Sequence, residues 1–138
     1  MEPSLAASRR RALNELAIDV LVSRSADIAR IVHHARQAGN GIAIAQFAPV
    51  AGRRASAAGA HREALAHFQV AVESAAEVSG RDRAQLLTDY AIECYLTNDA
   101  VRGMAAAERA LELWRELGVI SREGDLLRWI SRLHWWMG

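Results

Sequence analysis

The stretch GRDRAQLLTDYAIECYLTNDAVRGMAAAERALELWRELG, residues 80–118, decides the fold. It contains two segments whose apolar residues recur at helical spacing, one on each side of Asn98, and it closes at Gly118. Asparagine and glycine are the residues that most often end a helix in the left-handed conformation. The stretch therefore predicts two antiparallel helices that are joined by a tight turn.

Similar stop signals recur along the whole chain at nearly equal intervals. They are Gly39, Gly59, Gly80, Asn98, Gly118 and Gly138. Such spacing gives one helix pair per period of about 40 residues, which is typical of an α-solenoid. No segment shows the alternation of a strand. We expect an all-α, tetratricopeptide-like α-solenoid of about seven antiparallel helices.

The boundaries follow from the apolar spacing and the stop signals. We expect helices over 4–22, 26–38, 42–58, 61–78, 81–97, 99–117 and 122–138. They form a single helical-repeat domain over 1–138, with an N-terminal helix in 1–24 and helix pairs in 25–59, 60–98 and 99–138.

Individual residues refine these helices. Ser25 or Asp27 is expected to cap the second helix, and Asp99 the sixth. Pro49 predicts a kink or a break near Ala48 in the third helix.

Two buried faces are also expected from the helical spacing. The first helix has an apolar stripe, made of Leu13, Leu16, Ala17, Val20 and Leu21. The sixth helix is expected to turn its own apolar set inward, namely Val101, Met104, Ala107, Leu111 and Trp114.

Small residues recur where two helices must approach closely, and this resembles the tetratricopeptide repeat. When the chain is aligned with itself so that Gly59 falls on Asn98, Ala71 falls on Ala110. The small and large positions of the repeat fall on Gly52, Ala64, Phe68 and Ala71 in one pair and on Ala91, Tyr95, Gly103 and Ala110 in the next. The period is longer than that of the tetratricopeptide repeat, and the usual proline after the second helix is absent.

Composition excludes several classes of protein. The 138 residues are 51% hydrophobic and 24% charged with a net charge of +1, so no strong field attracts nucleic acid or a membrane surface. Cys94 is the only cysteine, which excludes an internal disulfide and is typical of a cytoplasmic protein. No apolar run is long enough for a signal peptide or a membrane-spanning helix.

No catalytic, cofactor-binding or metal-binding residue is predicted. The chain has no lysine and therefore no phosphate-binding G-x-x-x-x-G-K-[ST] loop, and it has no G-x-S-x-G, H-E-x-x-H or C-x-x-C motif. His33 and His34 point about 100° apart on a helix, so one is expected at a helix interface and one in solvent. Glu63 and His67 are interpreted as a surface pair, and Cys94 as an inert core thiol. The chain is not expected to be an enzyme.

The last helix is apolar nearly all round, which requires burial on several sides. Trp129, Trp135 and Trp136 are the candidate partner-binding residues, with Arg128 and Arg132 at a rim. Three interpretations stay open. The helix packs against a second copy or another protein, it is buried within its own chain, or the chain is a fragment whose continuation covers it.

Several segments, in order, resemble the helical-repeat region of large ATP-binding LuxR-type transcriptional regulators of actinobacteria. They cover most of the chain and are DIARIVHHARQAG (27–39), FAPVA (47–51), GAHREA (59–64), ECYLT (93–97), ALELWRELG (110–118) and REGDLLRWISRL (122–133). Those regulators join a P-loop ATPase, a tetratricopeptide-like sensor region and a helix-turn-helix. The resemblance is to the middle part of those regulators only. It therefore implies a regulatory or scaffolding module, and no nucleotide-binding or DNA-reading residue is carried over to this chain.

Two functions remain open from the sequence. The first is a non-catalytic protein-interaction module that contacts a protein partner or forms a homodimer through its last helix, without cofactor, nucleic acid or membrane. The alternative is a small-molecule sensor that holds a ligand in a groove between helices. Its candidate lining residues are Tyr90, Tyr95, His67 and Arg109.

Overall fold

The computed structural model describes residues 4–23, 27–78 and 80–138, and within these ranges it contains seven α-helices and no strand. The helices are α1 (Leu5–Ser23), α2 (Ile28–Ala38), α3 (Gly41–Ala57), α4 (His61–Glu73), α5 (Gly80–Leu96), α6 (Ala100–Glu116) and α7 (Ile120–Met137), and a short 3-10 turn follows α4 at Ala75–Glu77. The predicted all-α class and the number of helices are confirmed. None of the described helices has the length and hydropathy needed to cross a membrane.

All six residues predicted to stop a helix have a positive φ, but Gly80 is the first residue of α5 and does not end α4, which stops at Glu73. The six φ angles lie between 53° at Gly80 and 84° at Gly138, and Asn98 has a φ of 65°. After four of them the next residue donates its N–H to the carbonyl five residues earlier, at 2.8–3.1 Å: Asn40 to Ala35, Ala60 to Ala55, Asp99 to Cys94 and Val119 to Trp114. These bonds satisfy carbonyls that the helix leaves free at its end, so four connections use the same turn.

Side chains cap four of the described helices at their first turn, and in α1 the Ser4 hydroxyl accepts from the N–H of Ala7 at 3.3 Å. The Asp27 carboxylate accepts from the N–H of Ala29 at 3.1 Å, and Asp99 accepts from that of Arg102 at 3.3 Å. Both predicted caps are confirmed, whereas Ser25 lies outside the described residues. The amide oxygen of Asn40 caps α3 in the same way.

Three predicted boundaries need correction. The third helix is not broken, because α3 runs without interruption through Pro49. The fourth helix ends at Glu73 and not at residue 78, because the N–H of Glu77 bonds to the Ser74 carbonyl three residues back and the chain tightens into the 3-10 turn. The last helix begins at Ile120, two residues earlier than expected.

Each helix packs mainly against the next one in the chain, and α5 also contacts α3 on one side and α7 on the other. Small residues allow the closest approaches. A Cβ added at Gly52 of α3 would lie 2.6 Å from the ring of Phe68 in α4, and one at Gly103 of α6 would lie 3.0 Å from Cβ of Cys94 in α5. The core therefore runs along the interfaces between successive helices.

The apolar stripe predicted for α1 is largely uncovered. Leu13 is 67% exposed and Leu16 is 61% exposed, whereas Ile18 is the residue of α1 that lies in the core. The face that α1 turns to α2 is rotated away from the stripe, toward the polar contacts of Asn14 with His34 at 2.7 Å.

The predicted inward face of α6 is confirmed except at its first residue. Val101 is 72% exposed, because it lies 100° around the helix from the buried Ala100. Met104, Ala107, Leu111 and Trp114 are all buried.

Candidate interaction surfaces

The C-terminal helix brings two of its tryptophans against α5. The Tyr95 ring makes edge contacts with the rings of Trp129 and Trp136, at centroid distances of 5.6 and 6.3 Å. The indole N–H of Trp136 donates to the side-chain oxygen of Asn98 at 2.7 Å, in the turn that leads to α6. We call Tyr95, Trp129 and Trp136 the aromatic cluster. Two of the three candidate tryptophans thus contact their own chain, although Trp136 remains 54% exposed.

The two arginines predicted for a rim lie on the solvent side of α7. The Arg132 guanidinium sits over the Trp129 ring, 4.6 Å from its centroid. Arg128 is exposed and approaches the Asp125 carboxylate at 3.5 Å. Arg132 thus extends the aromatic cluster into solvent, while Arg128 stands beside an exposed face.

That exposed face follows one stripe of α7, which we call the outer face of α7. It consists of Ile120, Gly124, Leu127, Ser131 and Trp135, which fall within an arc of about 80° at 3.6 residues per turn. Trp135 is 81% exposed and Ile120 is 80% exposed. The buried residues Leu126 and Leu133 lie on the opposite side of the helix, toward the core. The third candidate tryptophan therefore belongs to a different surface from the other two.

A buried carboxylate joins α3, α4 and α5 at a second candidate site. Glu93 is only 2% exposed. One of its oxygens accepts from the Ser56 hydroxyl at 2.5 Å, and the other lies 3.0 Å from Nδ1 of His61. These partners satisfy a charge that would otherwise be costly to bury.

The order of groups in this cluster limits its chemistry. Nucleophilic catalysis by a serine needs a base that takes the hydroxyl proton and a third group that orients the base. Here Glu93 stands between Ser56 and His61, so the histidine is bonded to the carboxylate and not to the hydroxyl. The two hydrogen bonds of Glu93 link α3, α4 and α5, and Ser56 and Glu93 also line a neighbouring cavity.

A groove runs beside this cluster along α3 and α5. One cavity of about 490 Å³ is lined by Ile42, Ala45, Gln46, Pro49, Val50, Arg53, Glu77, Val78 and Asp82. A second cavity, of about 260 Å³, is lined by Arg53, Ser56, Ala57, Phe68, Asp89, Ile92 and Glu93. Arg53 belongs to both, and its Nε lies 3.0 Å from the Asp89 carboxylate. The groove thus has apolar walls and a surplus of carboxylates.

Sequence reasoning missed the Glu93 cluster because its members come from three helices and lie far apart in the sequence. A signal was present, since Glu93 falls in the apolar stripe that contains Leu86 and Tyr90. A charged residue in a buried register needs partners, but the sequence does not say which elements supply them.

The other predicted polar residues lie where the sequence placed them, except that His67 is not on the surface, because its side chain is only 15% exposed. His33 is exposed, and His34 is half-buried against Asn14 of α1. Nε2 of His67 lies 3.7 Å from the exposed Glu63 carboxylate. Cys94 is completely buried, so its predicted place in the core is confirmed, and burial raises the pKa of its thiol from 9.0 to about 11.

The four residues predicted to line a ligand groove do not meet. Tyr90 is buried in the core, and burial raises its pKa. Tyr95 belongs to the aromatic cluster, and Arg109 pairs with Glu112 at 2.6 Å on the surface of α6. His67 lines a different cavity of about 230 Å³ beside α2 and α3.

Within the described ranges, no three histidine, cysteine, aspartate or glutamate residues cluster closely enough to hold a metal ion. Comparison of the chain with protein-family models, with curated proteins and with solved structures finds no match. The function is therefore inferred from the surfaces described above.

Proposed function

We propose that the chain is a non-catalytic, tetratricopeptide-like interaction and regulatory module that binds a protein through the outer face of α7. The resemblance to the sensor region of LuxR-type ATP-binding regulators favours a role in transcriptional control. The repeated turns and the contacts of α5 with both α3 and α7 support a stack of helix pairs. Stacks of this kind present surfaces to partners.

The exposure of two large apolar side chains on one face of α7 carries the proposal. Trp135 and Ile120 lie on one exposed face of a helix whose opposite side packs on the core through Leu126 and Leu133, and such apolar faces mark interaction sites. Tryptophan and arginine are the residues most enriched among binding hot spots, and Arg128 stands at the edge of this stripe. The aromatic cluster, held by Arg132 and Asn98, supports the helix from behind.

A photo-crosslinking residue in place of Trp135 tests this proposal in cells that express the full chain. We expect p-benzoylphenylalanine at position 135 to capture protein on irradiation. The matched control carries the same residue in place of Val101, which is 72% exposed on α6 and lies outside the proposed surface. No adduct from position 135, or equal adducts from both positions, would contradict the proposal.

A second candidate function is small-molecule sensing, and the cavity of about 490 Å³ between α3 and α5 favours it. Its size is within the range of small-molecule sites, and its walls combine apolar residues with Arg53 and Asp82. A compound library screened by thermal shift should give a stabilising compound whose effect is lost in Val50→Trp, which fills the cavity. Stabilisation that persists in Val50→Trp would place the ligand elsewhere.

A further inference from the structure

The cavity of about 490 Å³ beside α3 is apolar on one side and acidic on the other. The α3 side consists mainly of apolar residues, namely Ile42, Ala45, Pro49 and Val50. The 3-10 turn and the first turn of α5 contribute the carboxylates of Glu77 and Asp82 to the same cavity. A ligand in this cavity therefore meets a hydrocarbon surface on α3 and two acidic groups beyond it.

The two carboxylates of the cavity are not neutralised by the protein. In the part of the chain that the structure describes, neither Glu77 nor Asp82 forms an ion pair or a side-chain hydrogen bond. Arg53 is the cation among the lining residues, and its Nε already lies 3.0 Å from the carboxylate of Asp89. Because Asp89 balances the charge of Arg53, the cavity keeps two unbalanced negative charges.

The two arginines next to Asp82 in the sequence do not line the cavity. Arg81 and Arg83 each project about 100° around α5 from Asp82, one on either side. The guanidinium of Arg81 lies 5.8 Å from the centroid of the Trp114 ring, so it turns toward α6. The negative charge at the mouth of the cavity is therefore not cancelled by an ion pair with a neighbouring residue.

The proline inside α3 adds a hydrogen-bond acceptor on the apolar side of the cavity. Pro49 is buried within the helix and has no N–H. The carbonyl of Ala45, four residues earlier, therefore lacks the donor that the α-helical pattern would supply. Ala45 and Pro49 both line the cavity, so this carbonyl is close to any ligand that enters it.

These groups select the charge of a ligand. An ammonium group has three N–H donors and no acceptor, so it can bond to carboxylates and to a backbone carbonyl at once. A ligand carboxylate would instead bring a third negative charge, and it would have to compete with Asp89 for Arg53. An uncharged ligand would gain the apolar contacts but none of the electrostatic attraction.

We infer that the cavity beside α3 binds a small organic cation, with an ammonium group at Glu77 and Asp82 and a compact apolar body against Ile42 and Val50. The inference rests on the second candidate function, small-molecule sensing, and names the class of ligand. Both carboxylates are exposed, so salt screens the attraction and binding is strongest at low ionic strength.

Three probes that share one apolar body test the inference by NMR titration of the purified full chain. They are cyclohexylmethylamine, cyclohexylmethanol and cyclohexanecarboxylate, which differ in the charge of one group. The variants are Asp82→Asn and the double variant Glu77→Gln/Asp82→Asn, which remove charge at nearly constant size. Glu108→Gln is the matched control, because Glu108 is exposed on α6 and lies outside the cavity.

We expect the amine to bind at least about fivefold more tightly than the alcohol or the carboxylate, and to shift the backbone amide signals of α3 around Val50. Asp82→Asn should reduce this preference for the amine, the double variant should abolish it, and Glu108→Gln should leave it unchanged. The alcohol is the internal control, because its affinity should be the same in all four proteins.

Several results would overturn the inference. They are no binding of the amine up to about 10 mM, equal or tighter binding of the alcohol or the carboxylate, or a preference for the amine that survives in the double variant. If library compounds whose effect is lost in Val50→Trp carry no positive charge, this inference fails and small-molecule sensing stands. If neither the amine nor any library compound binds in a way that depends on Val50, both fail.

Discussion

Single residues set how closely the helices approach. Gly52 is the tightest of these points, since a methyl group there would lie 2.6 Å from a Phe68 ring atom. Gly124 is also inside a helix, but a methyl group there meets nothing within 4 Å. A substitution at Gly52 therefore tests the packing of α3 against α4, whereas the same substitution at Gly124 tests helix propensity alone.

Gly52→Ala is expected to lower the free energy of unfolding by about 1–3 kcal/mol, because Phe68 has to move out of its position. Gly124→Ala is the matched control and is expected to raise it by about 0.5–1 kcal/mol, through the better helix propensity of alanine. Urea titration of dilute protein measures both. Stabilisation by Gly52→Ala would show that α3 and α4 are not in contact at this point.

The buried Glu93 gives a second test at the residue scale. His61→Ala removes one of its two partners and is expected to cost about 1–2 kcal/mol of unfolding free energy, because the carboxylate stays largely buried. His134→Ala, at an exposed position of α7, is expected to stay within about 0.5 kcal/mol of the wild type. If the two substitutions have equal effects in the same urea titration, His61 does not stabilise the buried Glu93 carboxylate.

At the scale of the elements, two tryptophans of α7 have different roles, since Trp136 contacts α5 and Trp135 faces solvent. Trp136 contacts Tyr95 and donates a hydrogen bond to Asn98, so it holds α7 against α5. Trp135 is 81% exposed and makes the outer face. The sequence predicted an excess of apolar residues on this helix but not their division, because the positions of Tyr95 and Asn98 relative to α7 depend on how α5, α6 and α7 pack.

Substitution of each tryptophan separates these tasks. In dilute protein, Trp136→Ala is expected to lower the melting temperature clearly, with a loss of about 1–3 kcal/mol, because it removes an aromatic contact and a hydrogen bond. Trp135→Ala is expected to change the stability of the single chain by less than about 0.5 kcal/mol. The reverse order of effects in a thermal melt would contradict the described packing of α7.

The helices themselves could largely be predicted from the sequence, for physical reasons that are local. Gly39, Gly59 and Asn98 end helices because of backbone conformation, which depends on neighbouring residues alone. Leu13 and Val101 were assigned wrongly to buried faces, because periodicity shows that a stripe is apolar but not which neighbour covers it. The Glu93 cluster was missed for the same reason, since its partners come from other helices.

At the scale of the whole molecule, the buried thiol and phenol make stability depend on alkaline pH. The pKa of Cys94 is about 11 in the folded chain against an ordinary value of 9.0, and burial also raises the pKa of Tyr90. The folded chain therefore binds these protons more tightly than the unfolded chain. The contribution of Cys94 to stability is complete below pH 9 and is lost as the pH rises through about 11, and Tyr90 adds to the loss in the same direction.

We expect the free energy of unfolding to decline between pH 9 and pH 11, with Cys94 contributing about 2 kcal/mol of the loss. Cys94→Ala is expected to be less stable at neutral pH but to lose less stability across this interval. Urea titrations at pH 8, 9, 10 and 11 measure the difference. Parallel curves for the two proteins would show that the thiol does not contribute.

We propose that the whole molecule binds a protein through the outer face of α7. Forty residues earlier in the chain, α5 carries Ala84, Leu87 and Ala91 at the positions of Gly124, Leu127 and Ser131, and all three are buried. A charge placed at the centre of this face opposes that association without touching the core of the single chain, because Leu127 is 45% exposed.

Photo-capture by p-benzoylphenylalanine at position 135 tests this central claim most directly, in the otherwise wild-type chain, in Leu127→Glu and in the control Val101→Glu. We expect the wild-type background and Val101→Glu to capture protein on irradiation, whereas Leu127→Glu, which places a charge at the centre of the outer face of α7, captures little. A wild-type background that captures no protein, or a Leu127→Glu variant that captures as much as the wild type, would contradict the account.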